Sequence, residues 1–378
     1  MSAIHDGRRA AAVHPEPPRR VAIFVHRFLP ETGGIEVTAD VLARGFQDRH
    51  GAEVLVVTRN EAPADFDADL PYRVLRAPSH RELLAAVRGA DVVFHNNALM
   101  QFYWAQLLCP RPWVVTMRAV LRVPGHRISA PRELVLKVKE RLIRRATVLA
   151  ANSRMMAEEI GGDPVVVHNS YRDQVFFVTE PVQGRDRHRL AFVGRLSADK
   201  GIDVLLDAVA RLQGEGMPVH VDLIGSGDEE PELRARAAEL GVTEAVHFHG
   251  NVPGEQVNEL LNRAAVMVLP STGLETFGTV VLEAQAAGCA VAASDIGGIP
   301  EALGGTGVLV PPGDTDAWVR VLRSLILDDA AFARAHAGRQ ENADAHRTEA
   351  MVDRYWELVV QAHACAQRPR RCAEGRRR

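Results

Sequence analysis

Short apolar runs that alternate with amphipathic, helix-like stretches leave this chain few folds to choose from. The first series comprises VAIFVH (21–26), EVLVVT (53–58), DVVFH (91–95), WVVTM (113–117) and TVLAA (147–151). A second opens at RLAFVG (189–194) and continues through VHVDLIG, AVHFHG, VMVLP, AVAAS and GVLV. Runs that are apolar throughout belong to parallel strands covered by helices on both faces. Between the series lies TEPVQGRDRHR, polar and carrying turn residues, so the chain divides near 170–188. At 378 residues it can bury two cores. The pattern predicts α/β domains over 19–175 and 189–344, with a linker at 176–188.

Bulk properties exclude several classes. A net charge of −3 gives the whole chain no electrostatic reason to bind nucleic acid. No apolar run is long enough to span a bilayer, and the first residues lack a signal-like apolar core. The four cysteines, Cys109, Cys289, Cys365 and Cys372, show neither metal-ligand spacing nor a disulfide framework. A cytoplasmic location is therefore the expectation. Residues 1–18 and the basic stretch 366–378 have little to bury and are expected to be disordered.

Function is written most densely in GLETFGTVVLEAQAAGCAVAASDIGGIPEAL (273–303), where Glu275 and Glu283 stand eight residues apart. The loop from Gly273 runs into Thr276, Phe277 and Gly278, whose N–H groups would lie free at a helix start. Free amides and the positive end of the helix dipole suit phosphate oxygens. Eight helical residues span about 12 Å, comparable to the reach from a sugar hydroxyl across a diphosphate to a ribose. A carboxylate at each end would accept hydrogen bonds from hydroxyls. Two incidental acids on a surface-to-core helix are the plain alternative.

This segment resembles the donor-site signature of the family 4 retaining glycosyltransferases, which have the GT-B fold: two Rossmann-like, doubly wound parallel-sheet domains facing a cleft. The resemblance implies that Glu275 approaches the donor sugar and Glu283 holds the ribose. It also implies that the closing helix (345–365) crosses back to the first domain. The stretch FVGRLSADKG is similar to the family's G-R-L…K-G element, with Asp199 where Glu is more usual. Arg195 can engage phosphate oxygens as a fork and Lys200 as a point charge, so both suit a departing diphosphate. A solvated basic turn would look the same.

Gly33 and Gly34 lie between the first strand and first helix, where glycine lets backbone approach a ligand. No dinucleotide fingerprint is present, because this turn lacks G-x-G-x-x-G and GSGDEE (225–230) fails at its last glycine. Gly225, and Asn251 with Val252, follow second-domain strands; in relatives these loops line the base and ribose pocket. Each is otherwise a simple turn.

The first domain departs from the family. A Thr-x-His element is usual, yet WVVTMRAV puts Arg118 at the histidine position. A guanidinium only donates and cannot act as a base, but it can bind a phosphate, a sugar carboxylate or developing negative charge. His95 is the other polar group at a strand's carboxyl end, and both are candidates for sugar or acceptor contact. Asn169 and Phe176 match the family's N-x-x-D-x-x-x-F segment, whereas Arg172 replaces the acid. PRELVLKVKERLIRRA (131–146) is a basic helix with Leu134, Val138, Leu142 and Ile143 on one side. Packing of that side on the sheet is favoured over contact with an anionic membrane.

The resemblance implies a retaining, metal-independent hexosyltransferase without a cofactor, moving sugar from a UDP-sugar or related donor to a hydroxyl. Its partners would be that nucleotide sugar and an acceptor, either a soluble intermediate such as an aminocyclitol or a glycolipid or polysaccharide precursor. A sugar phosphorylase, a nucleotide-sugar epimerase and a non-catalytic nucleotide-sugar-binding module share the architecture. A nicotinamide-dependent oxidoreductase is disfavoured by the missing fingerprint.

Overall fold

The computed structural model describes residues 16–31, 33–122 and 129–367. Of the expected disordered ends, 1–15 and 368–378 lie outside the described residues, while residues 366 and 367 belong to the final helix, Thr348–Gln367.

Seven strands form the first sheet: β1 (Arg20–Phe24), β2 (Glu53–Thr58), β3 (Arg73–Arg76), β4 (Val92–Asn96), β5 (Trp113–Met117), β6 (Val148–Ala151) and β7 (Val165–Val166). Six form the second: β8 (Arg189–Val193), β9 (His220–Ile224), β10 (Val246–Gly250), β11 (Val266–Leu269), β12 (Ala290–Ser294) and β13 (Val308–Val310). The spatial orders are β3-β2-β1-β4-β5-β6-β7 and β10-β9-β8-β11-β12-β13. Every pairing between these strands is parallel. The order in which strands are added therefore reverses in both sheets at the doubly wound switch point, between β1 and β4 in one and β8 and β11 in the other. The apolar runs fell on strands as expected. β3 and β7 were not foreseen, because both sit at or near sheet edges where short, partly exposed strands carry few apolar residues.

The closing helix completes the first domain. Its Met351, Val352, Tyr355, Trp356, Leu358 and Val359 are buried in one cluster with Val21, Ile23, Phe94 and Val114. Burial of each such side chain stabilises by about 1.5–3 kcal/mol, so apolar contact dominates the docking. Tyr355 also shares a hydrogen bond of 2.9 Å with Thr116, and Arg49 pairs with Asp353 at 2.8 Å at the rim. Where the helix crosses Gly34–Asp48, Gly45 leaves no room for a side chain: a Cβ there would stand 2.4 Å from Val352 Cγ1. A second tie crosses the cleft at Glu301, whose carboxylate accepts the Arg154 N–H at 2.7 Å and lies 3.0 Å from His168 Nε2. The 170–188 region is no free linker, since Tyr171 and Phe176 belong to the second core.

The basic helix differs from expectation. Ala130–Ile143 buries Leu136 and Ile143, whereas Leu134, Val135 and Val138 are exposed. The expected apolar side therefore meets the sheet through its carboxyl-terminal end only. No helix among the described residues is long and apolar enough to cross a membrane.

Gly45→Ala is expected to destabilise the protein by roughly 1–3 kcal/mol through overpacking against a stiff β-branched neighbour. Val352→Ala, itself destabilising, should recover part of that loss in the double variant. Urea denaturation of the four proteins checks the coupling, and strictly additive losses would show that the two residues do not meet.

Candidate functional site

The carboxyl ends of both sheets open on one cavity of about 470 Å³. From the first domain it is lined by Gly34, Ile35, Arg118, Asn152 and Asn169. The second domain contributes Val193–Arg195, Lys200, Leu269 and the segment Glu275–Val280. Gly34 stands at the switch point of the first sheet, and Val193 and Leu269 end the two strands flanking the second, so the cavity bridges both.

Backbone packing holds the acidic loop in place. Gly298 N donates to the Glu275 carbonyl at 2.8 Å, and a Cβ on Gly297 (φ +60°) would lie 2.1 Å from that same oxygen. On the other side, Thr272 N and Gly273 N donate to the Asp199 carbonyl at 2.9 and 2.8 Å. The turn bearing Lys200 and the loop bearing Glu275 are thus joined through main chain. Their side chains then meet: Lys200 Nζ lies 2.5 Å from Glu275 Oε1, which also accepts from Ser271 Oγ at 3.1 Å. Arg195 is exposed at the rim and forms no ion pair among the described residues.

Gly278, with φ +93°, starts the helix Thr279–Ala286, and no side chain caps its first turn. The eight-residue spacing of the glutamates is therefore part loop and part helix, because the left-handed turn at Gly278 delays the helix until Thr279. Phe277 is anchored in the second core, leaving its backbone at the cavity. Glu283 does not line the cavity. It is partly buried one turn into the helix, and burial pushes its carboxyl up to about 7, with the Arg172 guanidinium acting in the opposite direction.

Other expected site residues fall elsewhere. Gly33 caps the helix Gly34–Asp48 without lining the cavity. Gly225 adopts φ +136° because β9 must pass close to Gly194, whose oxygen would be 1.9 Å from a Cβ. Gly225, Asn251 and Val252 stand beyond the cavity at the ends of β9 and β10. His95 must be corrected: it is 0% exposed, with Phe24, Tyr103 and Trp113 around its ring, and cannot touch a ligand in the cleft. Burial in that aromatic box drops its imidazole to about 3, so it is neutral. Arg118 does line the cavity, held by Asn96 at 2.8 Å and by Asn169.

Asn152 and Ile35 were missed. Asn152 hydrogen-bonds Thr276 across the cleft at 3.4 Å, as Asn169 does Thr279. A polar residue directly after the TVLAA strand was the available signal for Asn152; Ile35 had none, being an ordinary helix residue.

Two doubly wound domains opening on a shared cation-bearing cavity define the GT-B class. Residues 33–169 match the glycosyl transferase 4-like domain and residues 187–328 match the model described as glycosyl transferases group 1. The chain belongs to this glycosyltransferase family. It is 40% identical over 164 residues to the D-inositol 3-phosphate glycosyltransferase of Streptomyces avermitilis, covering 40% of this chain and 35% of that one. The Mycolicibacterium smegmatis protein of the same name is 29% identical over 437 aligned positions, with 96% of each chain covered. The matches to the first three such relatives span 35%, 39% and 51% of their lengths. Among solved structures, Anabaena HepE in complex with UDP has a TM-score of 0.77 at 21% identity, covering 90% of this chain and 99% of its own.

The raised Glu283 carboxyl has a consequence for stability. Between its usual value of 4.5 and about 7, the folded chain holds a proton that the unfolded chain releases. Its contribution is therefore fully present below the lower value and is lost as pH rises through the upper one. Glu283→Gln is expected to remove this loss: thermal denaturation should show the variant gaining on the wild type from pH 5 to pH 8. A pH-independent difference would contradict the shift.

Proposed function

We propose that the chain is a retaining hexosyltransferase that carries a sugar from a nucleotide-diphosphate donor, a UDP-sugar, to an acceptor hydroxyl without a metal ion. The convergence of Arg195, Lys200, Glu275 and the uncapped start of the helix Thr279–Ala286 on one cavity carries this reading. Arg195, Lys200 and the helix amides take the diphosphate, where negative charge grows as the sugar departs. Glu275 orients the sugar hydroxyls and Gly34 lets backbone approach the donor within the cavity. Glu283, with Gly33, Gly225, Asn251 and Val252, lies outside that cavity and is assigned to the ribose and base end of a donor that extends beyond it. Fixed cations and amides stabilise developing charge without reorganising. In the transfer, the C1–O bond to the phosphate breaks and the acceptor oxygen bonds to C1 on the same face. The acceptor proton passes to the leaving phosphate. UDP in the HepE structure supports the choice of base.

Two observations bear on the acceptor. Relatives named for D-inositol 3-phosphate support a cyclitol-like hydroxyl. The exposed Leu134, Val135 and Val138, set among Arg132, Lys137 and Arg141, favour a second reading in which a glycolipid acceptor is met at an anionic membrane surface.

Arg195→Ala or Lys200→Ala is expected to lower turnover by about 10²–10³, the range for loss of one preorganised donor at a site of developing charge. Single-turnover kinetics on folded variants checks this, and near-wild-type rates would refute the diphosphate role. Glu283→Ala should chiefly raise the donor KM. A thermal-shift screen of UDP-, GDP-, ADP- and TDP-sugars identifies the donor, since bound ligand raises apparent stability by mass action. No shift with any of them would sink the proposal.

A further inference from the structure

One cation of the cleft is buried among neutral partners. Arg118 follows β5, is 5% exposed and lines the floor of the cavity. Its Nε donates to Asn96 Oδ1 at 2.8 Å and its Nη1 to Asn169 Oδ1, while Nη2 has no acceptor among the described residues. The ring of Tyr355 lies 5.2 Å from the guanidinium carbon. All of these partners are neutral. A guanidinium keeps its charge at any working pH, and burying it without a counter-ion is costly.

The other two cations of the cavity are placed differently. Lys200 is already matched by Glu275, and Arg195 stands in solvent at the rim. Arg118 is thus the cavity-lining cation that is both buried and without an anion among the described residues. Asn152, at the end of the neighbouring strand β6, lines the same cavity and keeps its Oδ1 without a donor. An oxyanion beside a hydroxyl would satisfy the two side chains together.

We propose that Arg118 is a specificity-determining residue that selects a substrate carrying an oxyanion besides the donor's diphosphate. This rests on the cleft being a nucleotide-sugar site. The same chemistry has two sources: a carboxylate on the transferred sugar, as in a uronic acid, or a phosphate on the acceptor polyol. Both present oxygens to a fork of N–H donors, the geometry in which arginine surpasses lysine.

Isothermal titration distinguishes the sources. UDP-glucuronate is compared with UDP-glucose on the free protein, and a myo-inositol monophosphate with myo-inositol on protein saturated with UDP. One anionic probe is expected to bind at least about tenfold more tightly than its neutral counterpart, as for a charge-assisted hydrogen bond. Which probe does so names the source. Arg118→Gln should abolish that preference while still binding UDP, which certifies its fold, and Arg118→Lys should keep only part of it. Should the Gln variant fail to fold, the wild-type comparison and the Lys variant decide the question. No preference for either anionic probe, with UDP bound normally, overturns the Arg118 proposal alone, as does a preference that survives Arg118→Gln. Absence of UDP binding by the wild type removes the underlying UDP-donor reading as well.

Discussion

Much of the site depends on the place where Gly297 and Gly298 pass over the backbone of Glu275 and Thr276. A methyl group at Gly298 would lie 2.4 Å from the Thr276 carbonyl, and Gly298 itself donates to the Glu275 carbonyl. This contact fixes the loop between β11 and the helix Thr279–Ala286, and with it the angle at which the helix start faces the first domain. Lys200 reaches Glu275 because the Asp199 carbonyl gathers the other side of the same loop. Side-chain chemistry in the cleft is thus set by main-chain distances that only glycine permits.

The electrostatics of the cavity divide by depth. At the rim, an exposed Arg195 is screened by water and free to move toward a ligand. In the middle, Lys200 and Glu275 neutralise one another until something competes for either. At the floor, Arg118 is fixed by two asparagines and an aromatic ring. Tyr355 links that floor to the docking of the closing helix, so a residue late in the chain supports a cation of the first domain.

The sheets were legible because parallel strands buried on both faces are apolar from end to end, as in β4 and β5. β3 and β7 escaped because edges need less burial. Arg195, Lys200, Glu275 and Gly278 could be anticipated from their places in two glycine-bearing turns, and the cavity brings them together. His95 misled because period-two alternation decides which face of a strand is seen: Asn96 turns toward Ile35 and Arg118, and His95 into the aromatic cluster behind. Asn152 and Asn169 act across the interdomain gap, a relation that no local pattern encodes.

The core containing β1 is closed by residues 351–362, whereas the second core draws on residues 171–343 without interruption. On the ribosome this inverts the usual N-to-C order of maturation. The downstream unit has all its parts first, and the upstream one waits with an apolar flank uncovered until the last helix emerges. Until residues 351–362 emerge, that face of the first core lacks the side chains that cover it in the folded molecule.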